Sequence, residues 1–224
     1  MTVMQTFNYR HEKQSSAYDD SLLRFNKSQN VRPVSCLQSW KYFYEFRNEL
    51  RKQLTFRRHI QIEVEHNIRQ IMQKINEESR KVVTLVGVHI RLGDIFISSR
   101  LKQNGLVIAT SEYLSKSVNY FLSKYRNVLF VVTSQNMTWA KANMPRHVKN
   151  QVQYIDSPKW EVIVAMLSLC DHTIITVGTF SWWIGWLTGG EVTYNKWPIR
   201  DGSILRKQFN EDFSDYFYPG WIGF

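Results

Sequence analysis

VVTLVGVHIRLGD, residues 82–94, is apolar at nearly every position from Val82 to Ile90 and then stops at a polar turn carrying His89, Arg91 and Asp94. The run is too short to cross a bilayer as a helix and lacks the alternation of a half-exposed strand. It therefore predicts a central strand covered on both faces. In open α/β sheets ligands bind beyond the carboxyl ends of the strands, where these polar residues emerge. At period 2, His89 and Arg91 project to one side, and Gly93 lets the chain turn and aim Asp94 back. A solvated strand end whose charges satisfy one another looks the same locally, so the surrounding sequence has to separate the two readings.

Downstream, residues 95–111 read as a loop with Gly105, long enough for a lid or an acceptor-contacting segment. A helix near Glu112 to Tyr125, capped by Thr110 or Ser111, would bury Leu114, Val118, Phe121 and Leu122. Leu129 to Thr133 is a second strand, and a helix from Met137 to Met144 ends at Pro145. Val152 to Ile155 is a third strand. Asp156-Ser157-Pro158 marks a helix start, with Ser157 as cap and Pro158 at the first helical position. His172 to Val177 is a fourth strand, closed by Gly178. Strands and helices alternating over short connections predict an α/β fold, a Rossmann-like parallel sheet flanked by helices. Neither G-x-G-x-x-G nor a Walker A sequence is present, which argues against a dinucleotide oxidoreductase or a P-loop kinase.

GTFSWWIGW, residues 178–186, is the second functional stretch. A turn at Gly178 feeding a helix at Thr179 or Ser181 would offer free backbone N–H groups and two hydroxyls to an anion. Trp182, Trp183 and Trp186 mostly cover one side of a short helix, where packing is the commoner role and stacking on a base or sugar the second reading.

Upstream, residues 1–35 are polar, without sustained periodicity or an apolar core, and read as an irregular segment with no secretory signal or membrane span. Residues 36–81 form a helical segment: Phe43, Phe46, Leu50 and Leu54, then Ile60, Val64, Ile68, Ile71 and Ile75, recur at helical spacing with an interruption near Thr55. Arg51, Lys52, Arg57 and Arg58 on its outer face read as solvated surface, with no motif for a nucleic-acid partner. His59, Glu63 and His66 could share a face, but the H-E-x-x-H pattern is absent and no metal site is expected there. The net charge of +10 divides as +6 over residues 1–81 and +4 over residues 82–224, which suits anionic partners in general. Cys36 and Cys170 decide little about redox setting, and the sequons at Asn26 and Asn136 are compatible with a lumenal chain.

Several blocks together resemble the galactoside alpha-1,2-fucosyltransferases. HIRLGD is similar to their H-x-R-R-G-D motif, and CLQSWKYF at 36–43, LFVVTS at 129–134 and LSLCDHTIITVGTFSWWIGWLTGG at 167–190 resemble family stretches in the same order, with a similar ending around Tyr218, Pro219, Gly220 and Trp221. The resemblance implies a GT-B-like arrangement in which residues 82–224 are the Rossmann-like half that binds GDP-fucose. It implies inverting transfer of L-fucose to O2 of a terminal beta-galactoside of a glycan. It also implies a Golgi enzyme with a membrane anchor, so that an amino-terminal portion is expected beyond this sequence.

Breaking the glycosyl-phosphate bond leaves negative charge on the diphosphate, so Arg91 is expected to grip two of its oxygens, with Gly178, Thr179, Phe180 and Ser181 as the complementary cradle. His89 and Asp94 would orient that arginine or bind the nucleoside. The base for the acceptor hydroxyl is left open among Asp94, His89, Asp156 and Glu161. No cofactor or metal is expected, since a D-x-D pair after a strand is absent. Leu92 stands where the family has a second arginine. Leu92→Arg is expected to raise transfer or tighten donor binding, with the lost arginine's role taken as electrostatic. If it is structural, Leu92 occupies an apolar pocket. A silent relative that binds sugar nucleotide or glycan without transfer is the alternative.

Overall fold

The computed structural model describes residues 7–26, 28–34, 36–79, 82–92 and 99–224, with side chains at all of these except 74–79 and 100–102. Asn8–His11 (β1) and Val31–Val34 (β2), inside the stretch expected to be irregular, pair in parallel as a separate two-stranded ribbon. Four residues with mostly exposed side chains carry no periodicity to read, which is why this pairing was not expected.

Two helices follow, Arg47–Gln53 (α1) and the 22-residue Arg58–Ser79 (α2), broken at residues 54–57 near the expected interruption. Thr84–Ile90 (β3) is the central strand, buried at every residue from Leu85 to Ile90. Part of the expected loop is helical, at Ser99–Asn104 (α3), and Leu106 bridges antiparallel to Ile199. Ser111–Lys124 (α4) is capped by Thr110, whose hydroxyl accepts from the Tyr113 N–H at 3.1 Å. Val128–Ser134 (β4), Met137–Asn143 (α5) and Val152–Tyr154 (β5) come next.

The following helix, Trp160–Ser168 (α6), begins later than Pro158. The Ser157 hydroxyl accepts from the Lys159 N–H at 3.2 Å, closing a local turn that delays the helix. His172–Ile175 (β6), Thr179–Thr188 (α7), Val192–Tyr194 (β7) and Ile222–Gly223 (β8) complete the chain.

All five pairings of the main sheet are parallel, in the order β5-β4-β3-β6-β7-β8. The chain steps outward from β3 to β4 and β5, then returns to lay β6 against the other side of β3. This is the doubly wound Rossmann order, and its direction reverses between β3 and β6. Val86, Val88 and Ile90 face α4 through Leu114, Val118 and Phe121. The opposite face carries Leu85, Leu129 and Val131 against α6, α7 and the start of α2, through Ile163, Leu167, Ile184 and Val64. A Cβ at Gly87 would stand 3.1 Å from the Leu167 carbonyl oxygen, so this glycine lets α6 lie close on the sheet. A third, aromatic cluster packs Trp182 and Trp186 of α7 against Phe209, Phe213, Tyr216 and Phe217, with Trp40 and Phe43 of the amino-terminal part closing over it.

Candidate active site

The place where the sheet reverses is built from the carboxyl ends of β3 and β6. Thr176 staples them: its hydroxyl accepts from the Arg91 N–H at 3.0 Å and donates to the His89 carbonyl at 3.3 Å. Beyond it the chain turns at Gly178 into α7. Gly178 has φ +93° and ψ 163°, a region essentially closed to residues with a side chain. A Cβ there would also collide with the Arg91 guanidinium, so the arginine lies directly on the turn that starts the helix. The first N–H groups of α7 have no partner within the helix, and the dipole adds positive character beside Arg91.

His89 is buried under this turn. Its Nδ1 lies 2.5 Å from the Ser181 hydroxyl, which in turn donates to the Val177 carbonyl at 3.2 Å. The serine has one hydrogen to give, so the imidazole tautomer decides whether Nδ1 donates to Ser181 or accepts from it. Burial, reinforced by the Arg91 charge, pulls the imidazole pKa down to about 4, and the ring is neutral at pH 7. It packs on Phe180, with ring centroids 4.9 Å apart.

These groups open onto a cleft of about 650 Å³ lined by His89, Arg91, Thr133, Ser134, Gln135, Asp156, Ser157, Pro158, Trp160, Ile163, Thr179 and Phe180. That volume suits a ligand of nucleotide size. The structure thus brings together Arg91, His89, Thr179 and Phe180 at one wall, with Gly178 beneath the arginine. Asp94 lies outside the described residues. Ser181 does not offer its hydroxyl to the cleft: the side chain is buried and its oxygen is held between His89 Nδ1 and the Val177 carbonyl. Of the candidate bases, Asp156 lines the cleft, and Glu161 is absent from its wall. A neutral His89 keeps one unprotonated ring nitrogen that can accept a hydrogen bond.

The far wall was not anticipated. Thr133, Ser134 and Gln135 follow the apolar run of β4, the same switch from apolar to polar that marks the end of β3, and that signal could have found them. Gln135 also accepts from the Leu92 N–H at 3.1 Å. Trp160 stands on this rim with 69% of its surface exposed, whereas Trp182 and Trp186 are buried and Trp183 stacks on Phe43.

Leu92 itself is completely buried among Val88, Ile90, Leu114 and their neighbours, which settles its place as part of the core. Arg51 is not plain solvated surface: its guanidinium sits 4.2 Å from the Trp186 ring and donates to the Leu187 carbonyl near the end of α7. Glu63 pairs with Lys159 at 2.9 Å and His66 with Gln70 at 3.0 Å. Among the described residues no three His, Cys, Asp or Glu side chains converge as metal ligands, and no helix is long and apolar enough to cross a membrane.

Comparison with known proteins gives a family. The model of glycosyl transferase family 11 matches residues 8–224. Galactoside alpha-(1,2)-fucosyltransferase 1 of Saimiri boliviensis boliviensis is 30% identical over 190 residues, covering 83% of this chain and 50% of that protein. The protein of the same name from Ateles belzebuth matches with the same identity and coverage. The chain therefore spans about half the length of the curated relatives it matches. Among solved structures, fucosyltransferase NodZ from Bradyrhizobium aligns with a TM-score of 0.46 at 12% identity, over 72% of this chain and 53% of that one.

Proposed function

The chain belongs to glycosyl transferase family 11, and on that premise we propose that its cleft binds GDP-fucose and that the protein transfers L-fucose, with inversion, to O2 of a terminal beta-galactoside of a glycan. The observation that carries this reading is the Arg91 guanidinium set against Gly178 at the start of α7, at the reversal point of the sheet. As the glycosyl-phosphate bond opens, charge grows on the diphosphate. A guanidinium can hold two of its oxygens while the N–H groups of Thr179 and Phe180 hold a third, an attraction that strengthens toward the transition state. This supplies the positive charge without calling for a metal.

His89 is given the part of a neutral ring that fixes the cradle from beneath through Ser181, and Asp156, which lines the cleft, is given the part of the base that takes the acceptor proton. Asp94 keeps its assignment as a residue that orients Arg91 or binds the nucleoside. Within this reading the sheet is the donor half of a GT-B-like enzyme, held in the Golgi lumen by a membrane anchor, with the glycan as its other partner.

The test is to incubate the protein with GDP-fucose and a beta-galactoside, and to follow both GDP release and the position of fucose on the product. Fucose on O2 with matching GDP is the expected result. Donor binding without transfer would favour the alternative, a silent relative that keeps the donor site without the chemistry. A folded protein that does not bind GDP-fucose would refute both.

A further inference from the structure

A strap from the amino-terminal part reaches the cradle. The Gln38 side-chain amide donates to the Thr179 hydroxyl, 141 residues away in sequence. Its neighbour Leu37 has φ +47°, a left-handed conformation that a branched side chain adopts only under constraint. The constraint is visible. The Leu37 N–H donates to one oxygen of Glu12 at 3.0 Å, while the other oxygen of Glu12 accepts from the Tyr42 hydroxyl at 2.9 Å. Tyr42 accepts in turn from the Asp19 N–H at 3.0 Å, and the Gln38 N–H donates to the Ser15 carbonyl at 3.4 Å. Glu12 thus holds a kink whose effect is to aim Gln38 at the first residue of α7.

The direction of that bond matters. A hydroxyl has one hydrogen and can accept at its lone pairs. Ser181 and Thr188, on the same helix, give their hydrogens to the carbonyls four residues back. Thr179, in the first turn, has no helical carbonyl behind it. By accepting from Gln38 it keeps its hydrogen available on the side that lines the cleft.

We propose that Gln38 is a positioning residue of the donor site: it turns the Thr179 hydroxyl into a donor toward a diphosphate oxygen, and Glu12 holds it in place through Leu37. This rests on the reading of the cleft as a nucleoside diphosphate site. Gln38 touches no reacting atom in this scheme and acts only through Thr179.

The experiment titrates GDP and guanosine into the wild-type protein, Gln38→Met, Gln38→Glu, Glu12→Ala, Thr179→Val and the double variant Gln38→Met/Thr179→Val, with melting curves alongside. Gln38→Met should weaken GDP about 3- to 10-fold, the scale of one hydrogen bond, and leave guanosine unchanged. Gln38→Glu should be weaker still, because a carboxylate takes the Thr179 hydrogen and repels the phosphates. Glu12→Ala should behave as Gln38→Met does. In the Thr179→Val background, Gln38→Met should have no further effect, since the two act as one unit. GDP affinity unchanged in Gln38→Met, an equal loss of GDP and guanosine, or the same loss in the Thr179→Val background would each overturn the proposal. A folded wild-type protein that binds no GDP would overturn the donor-site reading itself and this inference with it.

Discussion

An arginine at position 92 tests what that place is for. Leu92 has no accessible surface and, among the described residues, packs in a cluster of hydrophobic side chains. Truncation to alanine should cost about 2–5 kcal/mol, from lost transfer energy and the cavity left behind. Leu92→Arg puts a charge into this apolar cluster, costing several kcal/mol more, and overpacks the site by about 1–3 kcal/mol. The combined loss exceeds about 5 kcal/mol, a large part of the 5–15 kcal/mol that holds a typical domain together. For a chain of this size, that lowers Tm by about 10–20 °C or prevents folding. Leu92→Met, which conserves volume, should stay within about 1.5 kcal/mol. Urea unfolding followed by tryptophan fluorescence, with the midpoint compared across the three variants, measures this directly. A Leu92→Arg protein with an unchanged midpoint and tighter GDP binding would refute the assignment to the core and restore the electrostatic reading of the position.

Gly178→Ala should lose about 1–3 kcal/mol of stability to backbone strain. Because its Cβ displaces the Arg91 guanidinium, it should also weaken GDP at least about 10-fold on the scale of a charged hydrogen bond. Gly202→Ala, also at positive φ but facing open space, is the control that should leave GDP binding intact. His89 gives a pH signature. Its pKa is near 4 in the fold and about 6.5 when unfolded, so the unfolded chain binds the extra proton between these values. Its contribution, up to about 3 kcal/mol, is complete above pH 6.5 and is lost as pH falls toward 4; His89→Gln should flatten that part of the stability profile relative to wild type. Trp160→Ala tests base stacking on the rim indole: it should weaken guanosine and GDP alike, by roughly 1–3 kcal/mol, and unchanged guanosine affinity would show that the base does not stack there.

The strands that organise the sheet were legible because burial on both faces writes itself as uninterrupted apolar runs, as at Val82 to Ile90 and Leu129 to Thr133. Gly178 was legible as the turn before a helix, since strand, glycine and hydroxyl residues follow in order. Three things were not. β7 and β8, of three and two residues, are too short to show a period, so the reversal between β3 and β6 could not be placed at the centre of six strands. Leu92 reads in sequence as either a lost charge or an apolar filler, and only the packing of α4 selects the second. Gln38 meets Thr179 through a kink at Leu37, and no local pattern announces a left-handed leucine held by a glutamate 25 residues earlier.

The central claim is that Arg91 and the start of α7 form the diphosphate clamp, and calorimetric titration of GDP into wild type and Arg91→Lys tests it most directly. A lysine keeps the charge but offers a point ammonium where the clamp needs two parallel donors. Wild type should bind GDP and Arg91→Lys should bind it at least about 10-fold more weakly, with an unchanged melting temperature. Equal affinity in the two folded proteins would contradict the clamp.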